Sequence, residues 1–103
     1  MMTKRSVFEQ VDGLREEFAV AFNDIDYCMK VRKQGYLVVY TPDAEFYHYE
    51  SKSRGSDTTP EKAERFNREI RLFEKLWPEI LKKGDNYYNP NLSYERADFY
   101  LKP

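Results

Sequence analysis

The sequence predicts an α+β fold: helices with a short two-stranded sheet segment and an irregular C-terminal tail. Three observations carry that prediction. Two stretches show apolar residues at helical spacing between recognisable start and stop signals. Two adjacent β-branched and aromatic runs lie between them. The last nineteen or so residues show no sustained periodicity at all.

The elements follow in order. Residues 3–11 place Val7, Phe8 and Val11 at helical spacing, and Asp12-Gly13 breaks the pattern. At Asn23-Asp24-Ile25-Asp26 a helix opens, with Asn23 as the expected N-cap and two carboxylates in the first turn. Ile25, Cys28, Val31 and Arg32 form its expected packed face, Arg32 through its aliphatic stem. Lys30, Arg32 and Lys33 complement the C-terminal end of the helix dipole, and Gly35 is the expected stop. Residues 36–41 read as one strand, ended by Pro42-Asp43, and residues 45–50 as a second. Residues 51–59 read as a mobile polar loop. Thr59 then caps a long helix with Pro60 at its first position, and Ala63, Phe66, Ile70, Phe73 and Trp77 form its apolar stripe. Pro78 interrupts that helix, a short turn follows, and Gly84 ends it. Residues 1–84 form the packed portion, and residues 85–103 a Tyr- and Asn-rich tail lying on it.

A chain of 103 residues makes at most one small domain with a thin core. Charged residues make up 34% and aromatic residues 17%, too aromatic and too evenly charged for a disordered chain. Seventeen basic residues against eighteen acidic ones give a net charge of -1, which excludes a bulk attraction to nucleic acid. The lone Cys28 rules out an internal disulfide and suits a reducing compartment. The N-terminal residues lack the apolar core of a signal peptide, and no run is long enough to span a bilayer. A cytoplasmic protein is the expectation.

Three clusters could carry chemistry. Asp24 and Asp26 sit two apart at a helix start, so they point in different directions. Asp26 can bond back toward the exposed amides, which leaves Asp24 freer to act as a general base. The same letters also describe an ordinary helix cap. His48, the single histidine, can serve as a metal ligand or as a packed strand residue. Lys52 and Arg54, among three serines and Gly55, can clamp a diphosphate or simply be solvated.

Four ordered segments resemble the C-terminal section of family 2 glycosyltransferases of the bacterial cell-surface polysaccharide type. They are residues 18–36 (Phe-Ala-Val-Ala-Phe-Asn-Asp-Ile-Asp-Tyr-Cys-Met-Lys-Val-Arg-Lys-Gln-Gly-Tyr), 39–48 (Val-Tyr-Thr-Pro-Asp-Ala-Glu-Phe-Tyr-His), 50–55 (Glu-Ser-Lys-Ser-Arg-Gly) and 84–92 (Gly-Asp-Asn-Tyr-Tyr-Asn-Pro-Asn-Leu). The resemblance implies part of a GT-A domain, with a mixed sheet between helices. It implies that Asp24 is the catalytic base of an inverting transfer and Asp26 its acidic neighbour. His48 resembles a ligand of a divalent metal, manganese or magnesium. Lys52 and Arg54 resemble the residues that neutralise the departing nucleoside diphosphate. The helix over residues 3–11 and the Asp12-Gly13 turn resemble the border of the acceptor pocket, although Asp12-Gly13-Leu14-Arg15-Glu16 stands where many relatives carry Gly-Gly-Phe-Asp-Glu.

The implied partners are a nucleoside-diphosphate sugar and a glycan or lipid-linked acceptor, the whole enzyme lying peripheral to a membrane. The nucleotide-binding half with its metal motif precedes this segment in the family. A fragment, inactive alone and needing no cofactor of its own, is therefore the expectation. The rival is a stand-alone, non-catalytic small domain that binds carbohydrate or its own copy through the tyrosine-rich tail and an open strand edge.

Overall fold

A computed structural model of the chain describes residues 1–49 and 59–103. It contains four helices among those residues: α1 (Arg5–Gln10), α2 (Asn23–Lys33), α3 (Pro60–Leu76) and α4 (Pro78–Lys83). The chain packs as two units, Met1–Phe73 and Glu74–Pro103.

The predicted α+β arrangement is not formed. Among the described residues there is no strand, and a single antiparallel bridge joins Leu92 and Leu101. The mixed sheet of a partial GT-A domain is likewise absent from them. Residues 36–49 run without helix or ladder, and Leu37, Tyr40, Phe46 and Tyr47 are each more than four-fifths exposed. The physical reason is the small number of candidates: two short strands with no third partner make a sheet that is marginal in water. A β-type composition expresses fitness for a half-buried pleated surface, and the described residues form none.

The first unit holds two small apolar clusters. In one, Val11, Tyr27 and Val31 are buried with Val7 packed against them, so that α1 meets α2. The Phe8 ring lies 5.7 Å from that of Tyr27, and the Tyr27 hydroxyl is 2.7 Å from Thr3 Oγ1. Asp12-Gly13 breaks α1 as expected, with the Gly13 amide donating to Phe8 O at 2.8 Å. The other cluster is aromatic. Phe18, almost fully buried, meets Phe22 and Phe73 edge-on, while Phe22 stacks on Phe66 and Phe73. Burying a phenylalanine to this extent contributes roughly 2–3 kcal/mol.

Helix α2 opens differently from its sequence signature. Asn23 is the first helical residue rather than the cap; Phe22 precedes it at φ 64°, ψ 0°, in the left-handed region, and supplies no side-chain cap. The first helical bond runs from the Asp26 amide to Phe22 O at 2.8 Å. The buried face is Asp26, Tyr27 and Val31, and Ile25 is exposed. The helix ends as predicted. Gly35 at φ +89° lets its amide reach Arg32 O at 2.9 Å and the Tyr36 amide reach Val31 O at 3.3 Å, the double bond pattern of a Schellman motif. Thr59 caps α3 as expected, its Oγ1 accepting from the Lys62 amide at 3.3 Å. Of the predicted apolar stripe, Phe73 on α3 and Trp77 just after it are buried most deeply.

In the second unit, Pro78 at the start of α4 and Gly84 after its end (φ +81°) confirm the predicted interruption and stop. The tail has more order than its sequence suggests. Asp85 and Asn89 side chains accept from the amides of Tyr87 and Asn91, two short turns that replace helix or sheet bonds. The Ser93 amide donates to Tyr100 O at 2.7 Å and the Lys102 amide to Asn91 O at 2.8 Å, closing residues 91–102 into a loop. Tyr88 and Tyr94 stack 4.8 Å apart inside that unit.

Candidate functional site

The site begins at the first turn of α2, where two carboxylates two positions apart meet opposite surroundings. Successive helical residues turn by about 100°, so Asp24 and Asp26 point roughly 200° apart. Asp24 is exposed, and its Oδ1 accepts the next residue's amide, Ile25 N, at 2.8 Å. Asp26 is fully buried. Arg15 Nε donates to its Oδ1 and Oδ2 at 3.1 and 3.0 Å, a partner that the sequence did not suggest. A buried carboxylate is costly unless a cation and hydrogen bonds compensate it, and Arg15 supplies both.

Arg15 belongs to the segment between α1 and α2, and a second cation organises that segment. Lys30 Nζ donates to Val11 O at 2.9 Å and also to Gly13 O. Burial pushes the Lys30 ammonium below its ordinary value, and the nearby Arg15 adds to that, while Asp26, Asp12 and Glu17 oppose it. Around these residues lies an open depression of about 700 Å³, lined by Val11, Asp12, Leu14, Arg15, Glu17 and Lys30 with Glu16 at its side. It is built mainly from residues 11–17, with Lys30 contributed by α2.

The remaining backbone before α2 is tied down by α3. Glu69 is 3% exposed, and its two carboxylate oxygens accept the amides of Val20 and Ala21 at 3.1 and 3.0 Å. Sequence reasoning missed Glu69, Arg15 and the left-handed Phe22. Glu69 had a signal: it stands three residues after Phe66 and four before Phe73, a charged residue on the apolar face of α3. Arg15 and Phe22 had none, because their roles depend on contacts distant in the chain.

On α2, Cys28 lies one turn after Asp24. Burial raises its thiol above the ordinary cysteine value, and the Asp24 carboxylate raises it further. His48 lies exposed in the extended stretch that follows α2. Among the described residues, no group of three or more His, Cys, Asp or Glu side chains converges as a metal site would require. Lys52 and Arg54, and the loop and strand end that contain them, lie outside the described residues.

Comparison with known proteins gives three informative relatives. The chain is 51% identical over 102 residues to the uncharacterized protein y4gI of Sinorhizobium fredii, matching 98% of this chain and 11% of that protein. It is 32% identical over 102 residues to the O-antigen biosynthesis protein RfbC of Myxococcus xanthus, covering 99% of this chain and 8% of the relative. Over 57 residues it is 37% identical to an N-acetylglucosaminyl-diphospho-decaprenol L-rhamnosyltransferase of Mycobacterium tuberculosis, 55% of this chain and 19% of that enzyme. The chain is thus related in sequence to glycosyltransferases and to a protein of polysaccharide biosynthesis. It spans about a tenth of the length of the two relatives that it matches end to end. No family model and no solved structure matches it. No helix among the described residues is long and apolar enough to cross a membrane.

Proposed function

We propose that this chain is the base-bearing segment of an inverting glycosyltransferase of the family 2 kind, which uses a nucleoside-diphosphate sugar. The observation that carries the reading is the division of labour at the opening of α2. Asp26 is buried and engaged by Arg15, whereas Asp24, one position from the helix start, faces solvent with a carboxylate oxygen still open. Similarity to a rhamnosyltransferase and to an O-antigen biosynthesis protein supports the class of reaction.

In this reading Asp24 takes the proton from an acceptor hydroxyl as its oxygen attacks the anomeric carbon of the donor sugar. The bond from that carbon to the diphosphate oxygen breaks, and the electron pair leaves with the nucleoside diphosphate. The depression beside Asp12, Leu14 and Glu16 offers exposed carboxylates to the hydroxyls of a glycan or lipid-linked acceptor. Lys52 and Arg54 are assigned to the diphosphate by sequence alone. A divalent metal has only His48 to recommend it here. The described residues do not converge into a metal site, so no step is routed through one.

The test has two parts. An antibody against this chain, used on source-cell extract, reads whether the native protein is larger than 12.4 kDa. In that protein, Asp24→Asn should lower sugar transfer by about 10²–10⁴-fold with donor binding retained. Undiminished transfer in Asp24→Asn would refute the base assignment. A native band at 12.4 kDa, with oligosaccharide bound in the absence of nucleotide, would favour the stand-alone binding domain.

A further inference from the structure

We propose that Glu69 is a positioning residue for Asp24, through which one face of α3 fixes the turn that opens α2; this rests on the reading of Asp24 as the base. Phe22, the residue before α2, supplies no side-chain cap and holds a backbone conformation that bulky side chains rarely adopt. Such a turn persists only where its surroundings over-determine it. Three residues on α3 do so. Phe66 and Phe73 stack on the Phe22 ring, with centroids at 5.7 and 5.3 Å and planes inclined by 23° and 27°. Between them along the helix, Glu69 takes the amides of Val20 and Ala21, the two residues directly before Phe22.

The side chain and the incoming backbone of the turn are therefore held from the same helix face. A carboxylate suits this task because it carries two acceptor oxygens and no donor, matching two consecutive N–H groups. Asp24 follows Phe22 by two residues, in the first turn of α2, where a helix frays most readily. Releasing Val20 and Ala21 frees Phe22 to leave the left-handed region. Asp24 then loses its fixed direction while the far end of α2, closed by its own Schellman motif, stays in place. No role of Glu69 in contacting a substrate is implied.

Amide hydrogen exchange on the 103-residue chain tests this directly. In Glu69→Gln one acceptor oxygen becomes a donor, so Val20 and Ala21 should exchange roughly tenfold faster. Asp26 should follow, and Gly35 and Tyr36 should keep their wild-type rates. Glu69→Asp, which retains both acceptors with a shorter reach, should fall between the two. If Glu69→Gln lowers protection throughout the unit, the Glu69→Asp pattern decides. Uniform acceleration in both variants, or none at Val20 and Ala21, would overturn the proposal.

In a transferase that carries this segment, Glu69→Gln should lower kcat with the donor KM unchanged, and Glu69→Asp should recover part of the loss. If Asp24→Asn proves silent there while the exchange pattern holds, the transferase reading fails and the clamp on the turn stands.

Discussion

Arg15 Nε lies 3.1 and 3.0 Å from the two carboxylate oxygens of Asp26, whose side chain is wholly out of solvent while Arg15 remains one-third exposed. The asymmetry matters because it makes the two partners unequal when removed. A bare Arg15 can turn to water, whereas Asp26 stays buried after losing its guanidinium. Arg15→Ala should therefore cost about 3 kcal/mol or more, close to the whole stability of a small domain. Asp26→Asn should cost less, and Asp24→Asn should stay within about 0.5 kcal/mol, because Asp24 is exposed. Urea unfolding of the three variants checks the order. Equal losses for Asp24→Asn and Asp26→Asn would mean that their surroundings do not differ as described.

Phe22 separates packing from backbone strain. Phe22→Ala and Phe22→Gly both delete the ring that stacks on Phe66 and Phe73. Glycine adopts a φ of 64° freely, and alanine does not. Phe22→Gly should therefore be the more stable of the two by about 1–2 kcal/mol. Thermal unfolding of the pair decides it.

The Cys28 thiol is raised first by burial and then by the Asp24 carboxylate. It should react with iodoacetamide at pH 8 more slowly than free cysteine, and Asp24→Asn should speed the reaction. The linkage has a definite sign. A thiol that ionises at higher pH folded than unfolded contributes stability in full below the unfolded value, and loses it as pH rises through the folded one. Stability should thus decline on the alkaline side, less steeply in Cys28→Ser. An alkylation rate equal to that of free cysteine would count against the packing around α2.

Two glycines with positive φ should respond differently to alanine. A Cβ at Gly35 meets nothing within 4 Å, so Gly35→Ala carries only the conformational cost, about 1–2 kcal/mol. A Cβ at Gly13 would come within 2.7 Å of Phe8 Cζ, and Gly13→Ala should cost more because the Phe8 ring must also move off Tyr27. Chemical denaturation of both variants, with fluorescence or circular dichroism as readout, measures the difference.

Local signals in the sequence determined what depends on neighbours along the chain. Gly35 and Gly84 as helix stops, Thr59-Pro60 as a helix start, Pro78 as an interruption and the buried end of the α3 stripe were all legible, because capping and periodicity act within a few residues. The exposed aspect of Asp24 was legible too, since two positions on one helix must diverge. The tertiary structure alone decided the rest. Residues 36–49 have the composition of strands, yet pairing needs a partner ladder, and none forms among the described residues. Asn23 has the chemistry of a cap, yet Phe66, Glu69 and Phe73 hold the turn before it, so the helix starts one residue earlier than the cap motif implies. Asp26 is paired with Arg15, because a buried carboxylate needs a cation, and Arg15 lies eleven residues away on a segment with no periodicity. Long-range contacts of this kind leave no pattern in a single sequence, because burial and charge compensation are settled only when distant residues meet.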